Sequence, residues 1–174
     1  ASSVWSADYD AAKAFDGAPQ ALWLTMASEA FSGNTTPRFG PTESIYARRP
    51  NTRMGVVWML RQTFLDAKAR PADSAFAAYR EVLDGKRACR VLAHRWQDMS
   101  GALRVADEVG LKDVVFAGCE EAYLGREELA RRKSSVIVGP FPSERGGEGP
   151  DSSDTALSNA SMLRAAGVRV ALTA

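Results

Sequence analysis

The chain has 174 residues, 45% of them apolar and 25% charged, with 22 Lys and Arg set against 21 Asp and Glu. That length suffices to bury one good core, so the chain reads as one globular domain or part of one. The balanced charge leaves no long-range field to draw in nucleic acid or an acidic membrane surface.

The basic runs Arg48-Arg49 and Arg131-Arg132-Lys133 are too short for a binding stripe and read as solvated faces. Cys89 and Cys119 stand far apart without CxxC spacing, which disfavours both a disulfide framework and a zinc knuckle and leaves reduced thiols as the expectation. The longest apolar run, Val56-Val57-Trp58-Met59-Leu60, stops at Arg61, well short of the ~20 residues a membrane helix needs. The sequence opens without Met and without a basic-then-apolar leader, so either a signal was removed or the start is internal to a longer chain. Its compartment is therefore cytoplasmic or, after removal of a leader, periplasmic or secreted.

Along the chain, the apolar segment Ala21-Leu22-Trp23-Leu24-Thr25-Met26 predicts a strand, and the Gly- and Pro-rich stretch from Ser32 to Pro50 predicts a long loop. Met54, Val57, Leu60, Phe64 and Ala67 then recur at helical steps, with Asn51 or Thr52 placed to cap and Pro71 to stop the helix. A second helix over about 74–83 turns Phe76, Tyr79, Val82 and Leu83 inward and ends at Asp84-Gly85. Strands follow at 90–94, 113–117, 135–138 and 168–172, separated by helices at about 98–109, 120–132 and 155–166, with Met99, Ala102, Leu103 and Ala106 facing the core. Strands apolar throughout, alternating with helices, are what a parallel sheet covered by helices demands, and the class is α/β. Spacing alone fits either a closed β/α barrel or an open doubly wound sheet. The absence of GxGxxG and GKS/GKT sequences leans toward the barrel.

Five segments, taken in order, resemble the amidohydrolase superfamily, and within it the imidazolonepropionase-like proteins. They are Asn51-Thr52-Arg53-Met54-Gly55, Arg90-Val91-Leu92-Ala93-His94-Arg95, Ala117-Gly118-Cys119-Glu120-Glu121-Ala122-Tyr123, Val136-Ile137-Val138-Gly139-Pro140 and Ala165-Ala166-Gly167-Val168-Arg169-Val170-Ala171-Leu172-Thr173. The resemblance implies a partial TIM-like barrel of parallel strands with outer helices, this chain supplying roughly the fourth to eighth strands. Residues 1–50 would form a strand and long loop preceding the β/α units of 51–174. It also implies hydrolysis of non-peptide C–N bonds in a small-molecule substrate, with a divalent metal (zinc, iron or manganese) generating the attacking hydroxide and a carboxylate moving the proton.

Several of the family's parts have no counterpart here. There is no His-x-His pair, and the catalytic aspartate that follows the last strand in the family would fall just past Ala174. The family's ligand histidine on the strand before His94 aligns with Leu92, and the next strand's ligand histidine aligns with Ala117. His94, the sole histidine, lies one step nearer the barrel mouth on the same face as Leu92, and is the one candidate metal ligand. Cys119 is a thiolate ligand only if something lowers its pKa. Arg53 and Arg95 are candidates for holding a substrate carboxylate, the alternative for each being a solvated side chain. Glu120-Glu121 and Glu127-Glu128 read as helix N-terminal and surface charges, and the stretch Arg145-Gly146-Gly147-Glu148-Gly149, without Lys-Ser/Thr after it, as a loop at the barrel mouth.

The expected function is thus a fragment of a metal-dependent amidohydrolase-like hydrolase, inactive as an isolated chain, whose metal is not held by this chain alone. Its partner would be the remaining part of the barrel, or another copy by self-association. Two other readings stay open: a non-catalytic barrel homologue serving as a binding or scaffolding module, and an open α/β ligand-binding domain complete in itself.

Overall fold

A computed structural model describes residues 21–31, 34, 49–139 and 156–173. Most of the expected loop over 32–50 and all of the glycine-rich stretch at 145–149 lie outside the described residues. The elements in order are β1 (Ala21–Thr25), α1 (Arg53–Ala69), α2 (Ala77–Leu83), β2 (Ala88–Ala93), α3 (Trp96–Val109), β3 (Val114–Gly118), α4 (Arg126–Arg131), β4 (Ser135–Val138), α5 (Ala156–Ala165) and β5 (Arg169–Leu172). Short 3-10 turns at Ser28–Ala30, Ser74–Phe76 and Ala122–Gly125 join them. No helix among the described residues is long and apolar enough to cross a membrane.

Local chemistry sets several of these boundaries. The Thr52 hydroxyl accepts from Gly55 N at 3.1 Å and caps α1, meeting one of the amides that a helix start leaves unpaired. Gly110, at φ +77, closes α3 in the left-handed region that favours glycine. Two expected helices are each split. The one over 74–83 begins as a 3-10 turn capped by Asp73, whose carboxylate accepts from Ala75 N at 3.0 Å. The one over 120–132 reduces to the turn Ala122–Gly125 and the short α4, because Cys119 leaves β3 at φ +60 and Glu120 and Glu121 lie in the turn ahead of the helix.

The sheet has five strands in the order β1-β2-β3-β4-β5, and every neighbouring pair is parallel. Right-handed crossovers that always step in one direction lay all the helices on one face. Alternation along the strands agrees. Cys89, Val91 and Ala93 of β2 are buried, as are Phe116, Val136 and Val138, in a core completed by Phe64, Met99, Leu129 and Leu163. The opposite face carries Trp23, Arg90 and Val115 in one layer and Thr25, Leu92, Ala117 and Ile137 in the next. It is only partly covered: Trp23 remains 56% exposed, and the Arg90 guanidinium lies over its ring at 5.3 Å. A doubly wound sheet would reverse its strand order and cover both faces. Among the described residues this sheet does neither, and its architecture is α/β with the staves of a partial TIM-like barrel.

Two outcomes test the packing. A Cβ placed on Gly125 would fall 2.0 Å from the Trp96 ring, so Gly125→Ala is expected to cost about 1–3 kcal/mol in urea unfolding, and clearly less when Trp96 is already Ala. An equal cost in both backgrounds would refute the clash. The second concerns Arg132, which pairs with Asp107 at 2.6 Å and with Glu128. Hydrogen bonds from Arg132 hold the Asp107 carboxyl below its ordinary pKa, and hydrogen bonds from Arg131 and then Arg132 do the same for Glu128. Carboxyls depressed in the folded state add stability above their unfolded pKa and lose it as pH falls through the folded value. Arg132→Met should therefore destabilise modestly near neutral pH, since these groups are solvated, with the difference shrinking as pH falls below the ordinary carboxylate range. A difference that widens on acidification would contradict the ion pairs.

Candidate functional site

Three C-terminal strand ends meet at one place, the end where β/α barrels carry their chemistry. Met26 N donates to Leu92 O at 2.8 Å and leads β1 into the turn that presents Glu29. At the end of β2, Ala93 O accepts from Cys119 N at 2.8 Å and His94 O from Glu121 N at 3.0 Å, which pins the turn after β3 beside His94. The Glu121 carboxylate then accepts from Trp96 N at 3.1 Å, covering the first turn of α3. Glu120 and Glu121 are thus parts of the strand-end network and not the surface charges their adjacency suggests.

His94 sits between two carboxylates. Its Nε2 lies 3.2 Å from Glu29 Oε1 and its Nδ1 3.5 Å from Glu120 Oε1. The histidine and Glu120 side chains are 18% and 15% exposed, whereas Glu29 is 57% exposed. Gly118, at φ +83, makes this possible: a Cβ there would come within 2.9 Å of Nδ1. Cys119 is fully buried, and burial pushes its thiol pKa up, so the condition for a thiolate ligand is not met. Burial likewise pushes Cys89 up to about 12.

The turn after β3 is also held from below. Asn159 of α5 is completely buried, with Nδ2 donating to Cys119 O at 2.5 Å and Oδ1 accepting from Tyr123 N at 3.0 Å. Sequence reading passed over both Asn159 and Glu29. The usable signal for Glu29 was its place just past an apolar strand; for Asn159, a side chain reaching 40 residues back along the chain, no local signal exists.

The two arginines are placed differently. Arg53, at the start of α1, pairs with the buried Asp98 in the first turn of α3 and lies 5.7 Å from the Phe31 ring. Arg95 follows His94 directly and occupies the N-cap position of α3 at the mouth. Leu92 and Ala117 pair across β2 and β3 on the bare face, one step deeper than His94. Neither side chain can ligate a metal. Among the described residues no group of three or more His, Cys, Asp or Glu side chains is placed to hold one, so these residues do not by themselves fit the three-ligand site that metal-dependent hydrolysis requires.

No known protein family's sequence profile matches the chain, and no curated protein matches it. Among solved structures, an amidohydrolase from Thermotoga maritima MSB8 superposes with a TM-score of 0.72 at 25% identity, covering 90% of this chain. The fold is part of an amidohydrolase-like barrel. The likeness supports a place in the amidohydrolase superfamily, and the chain spans 42% of that neighbour's length.

The Asn159 bonds give this site a direct test. Asn159→Ala strands a buried carbonyl and a part-buried amide, and is expected to cost about 2–3 kcal/mol in denaturant unfolding. A loss under about 0.5 kcal/mol would show that water or a neighbour replaces both bonds.

Proposed function

We propose that this chain supplies consecutive staves of a metal-dependent hydrolase of the imidazolonepropionase-like branch, acting on non-peptide C–N bonds of a small molecule. The observation that carries the reading is the sequential parallel sheet with one bare face, matching less than half of a solved amidohydrolase. Among the described residues the five staves leave two unpaired parallel edges and a half-lined interior, which further strands of the same barrel would close. A second copy is the poorer closure, because Arg90 and Arg169 share one layer of the bare face and would meet their own kind.

In this reading the metal, zinc, iron or manganese, takes ligands from outside the described residues and supplies the activated water. The chain's own residues shape the pocket. Leu92, Ala117 and Ile137 form an apolar floor that excludes bulk water, and Arg95 stands at the rim where a substrate carboxylate would be held. The isolated chain would bind neither metal nor substrate as an enzyme does.

Leu92 and Ala117, standing where ligands are expected, favour a second reading, a barrel kept as a binding or scaffolding module. Metal analysis and amidase assays on the full-length protein separate the two. Stoichiometric metal with turnover of cyclic amides supports the hydrolase, while a stably folded, metal-free and inactive protein rules it out.

The need for closure is tested on the 174-residue chain alone. It should bind a hydrophobic dye and melt over a broad range; a single sharp transition without dye binding would mean a self-contained domain and would overturn the proposal.

A further inference from the structure

We propose that the cavity at the N-terminal ends of β3, β4 and β5 binds a phosphate group, held by Lys112, Lys133 and Arg169. It lies at the opposite end of the sheet from Glu29 and His94, and the inference goes beyond the hydrolase reading without resting on it.

The cavity holds about 300 Å³, room for a phosphate monoester of modest size. Lys112 and Asp113 lead into β3, Lys133 and Ser134 lead into β4 and Arg169 opens β5, while the last turn of α3 closes one side with Ala106 and Asp107. Because the strands are parallel and sequential, three successive turns bring their cations to one end of the sheet. Arg169 Nη2 donates to Lys133 O at 2.9 Å, which ties the start of β5 to the turn ahead of β4.

The charges in the wall are unequal. Arg132 is neutralised by Asp107 and Glu128. Among the described residues Lys112 and Lys133 have no carboxylate partner, and Asp113 is the one carboxylate left in the wall to set against them and Arg169. Nor are the lysines spent on helix ends, the ordinary role of a cation at a helix C-terminus. The carbonyls there already accept backbone amides: Ala106 O from Leu111 N at 2.8 Å, Leu129 O from Ser134 N at 2.9 Å and Ala130 O from Lys133 N at 2.9 Å. Ser134 and Ser135 stand half-buried in the same wall and add two hydroxyls. An oxyanion satisfies such a wall, since the two ammonium groups pair with it as flexible point charges while the guanidinium and the hydroxyls donate to its oxygens. A phosphate group suits it better than a carboxylate, because it brings up to two charges and at least three acceptor oxygens to donors that arrive from three turns.

Calorimetric titration of the 174-residue chain with inorganic phosphate, and separately with glycerol 3-phosphate, tests the site at neutral pH. One phosphate group per chain is expected, displaced by sulfate and not by chloride at matched ionic strength. Lys112→Met and Lys133→Met should each weaken binding about tenfold. Lys68→Met, at an exposed position of α1 away from the cavity, should leave it unchanged. All three lysines are exposed, so their variants keep the fold, and far-UV circular dichroism checks each one. Binding of glycerol 3-phosphate, alone or alongside inorganic phosphate, supports a site for phosphate esters; binding of inorganic phosphate only supports a site for the free ion. No stoichiometric binding, or binding that Lys68→Met weakens as much as Lys112→Met and Lys133→Met, overturns the proposal. Because every group in the wall belongs to this chain and nothing is hydrolysed in the assay, the site can fail while the hydrolase reading stands, and the reverse.

Discussion

One constraint governs this molecule: five parallel strands follow one another in space in the order they follow in the chain. Each crossover must then step the same way, and the fixed hand of β/α units sends every helix to one face. The core forms between that face and α1, α3, α4 and α5, where Phe64, Met99, Phe116, Leu129 and Leu163 lose all contact with water. Among the described residues the opposite face is only partly covered. The location of the candidate site follows as well, because the C-terminal ends of β1, β2 and β3 are brought side by side with their turns free to carry polar groups.

Those turns are ordered by a chain of backbone and side-chain bonds made within the described residues. The end of β2 receives amides from Cys119 and Glu121, Glu121 caps α3, and Asn159 anchors the Cys119 and Tyr123 backbone from α5. The left-handed conformation of Cys119 costs of order 1 kcal/mol for a residue with a side chain. It is retained because four of these bonds require the chain to turn there. The result is that His94, itself adjacent to a strand, sits in a frame fixed on three sides.

Much of the fold could be read from the residues. Parallel strands are apolar on both sides, so 114–118 and 135–138 stand out as runs, and Thr52 and Gly110 mark helix ends by chemistry that acts within a few residues. What escaped has a common cause, namely partners distant in sequence. Helix α3 begins at Trp96 and not at Asp98 because its cap is Glu121, 25 residues downstream. The segment 120–132 has helical composition, yet the turn after β3 and the Trp96 ring against Gly125 break it. Strand order could not be read from local periodicity, which barrel and doubly wound sheets share; it was the resemblance to the amidohydrolases that implied consecutive barrel strands, and the sequential order agrees. Glu29 escaped for the same reason, 65 residues from the histidine it faces.

The bare face also shows why the deeper layer and the mouth behave so differently. Ala117 is 7% exposed and lies between Leu92 and Ile137, both half-buried, while Thr25 and Ala171 at the two ends of that layer are exposed. The side chains of Leu92, Ala117 and Ile137 offer a cation no donor in exchange for its water. One step outward the balance reverses. His94, Glu29 and Glu120 set an imidazole beside two carboxylates there, with Glu29 open to solvent. Among the described residues these polar groups of the face thus gather in the strand-end turns, while the centre of the next layer down is apolar.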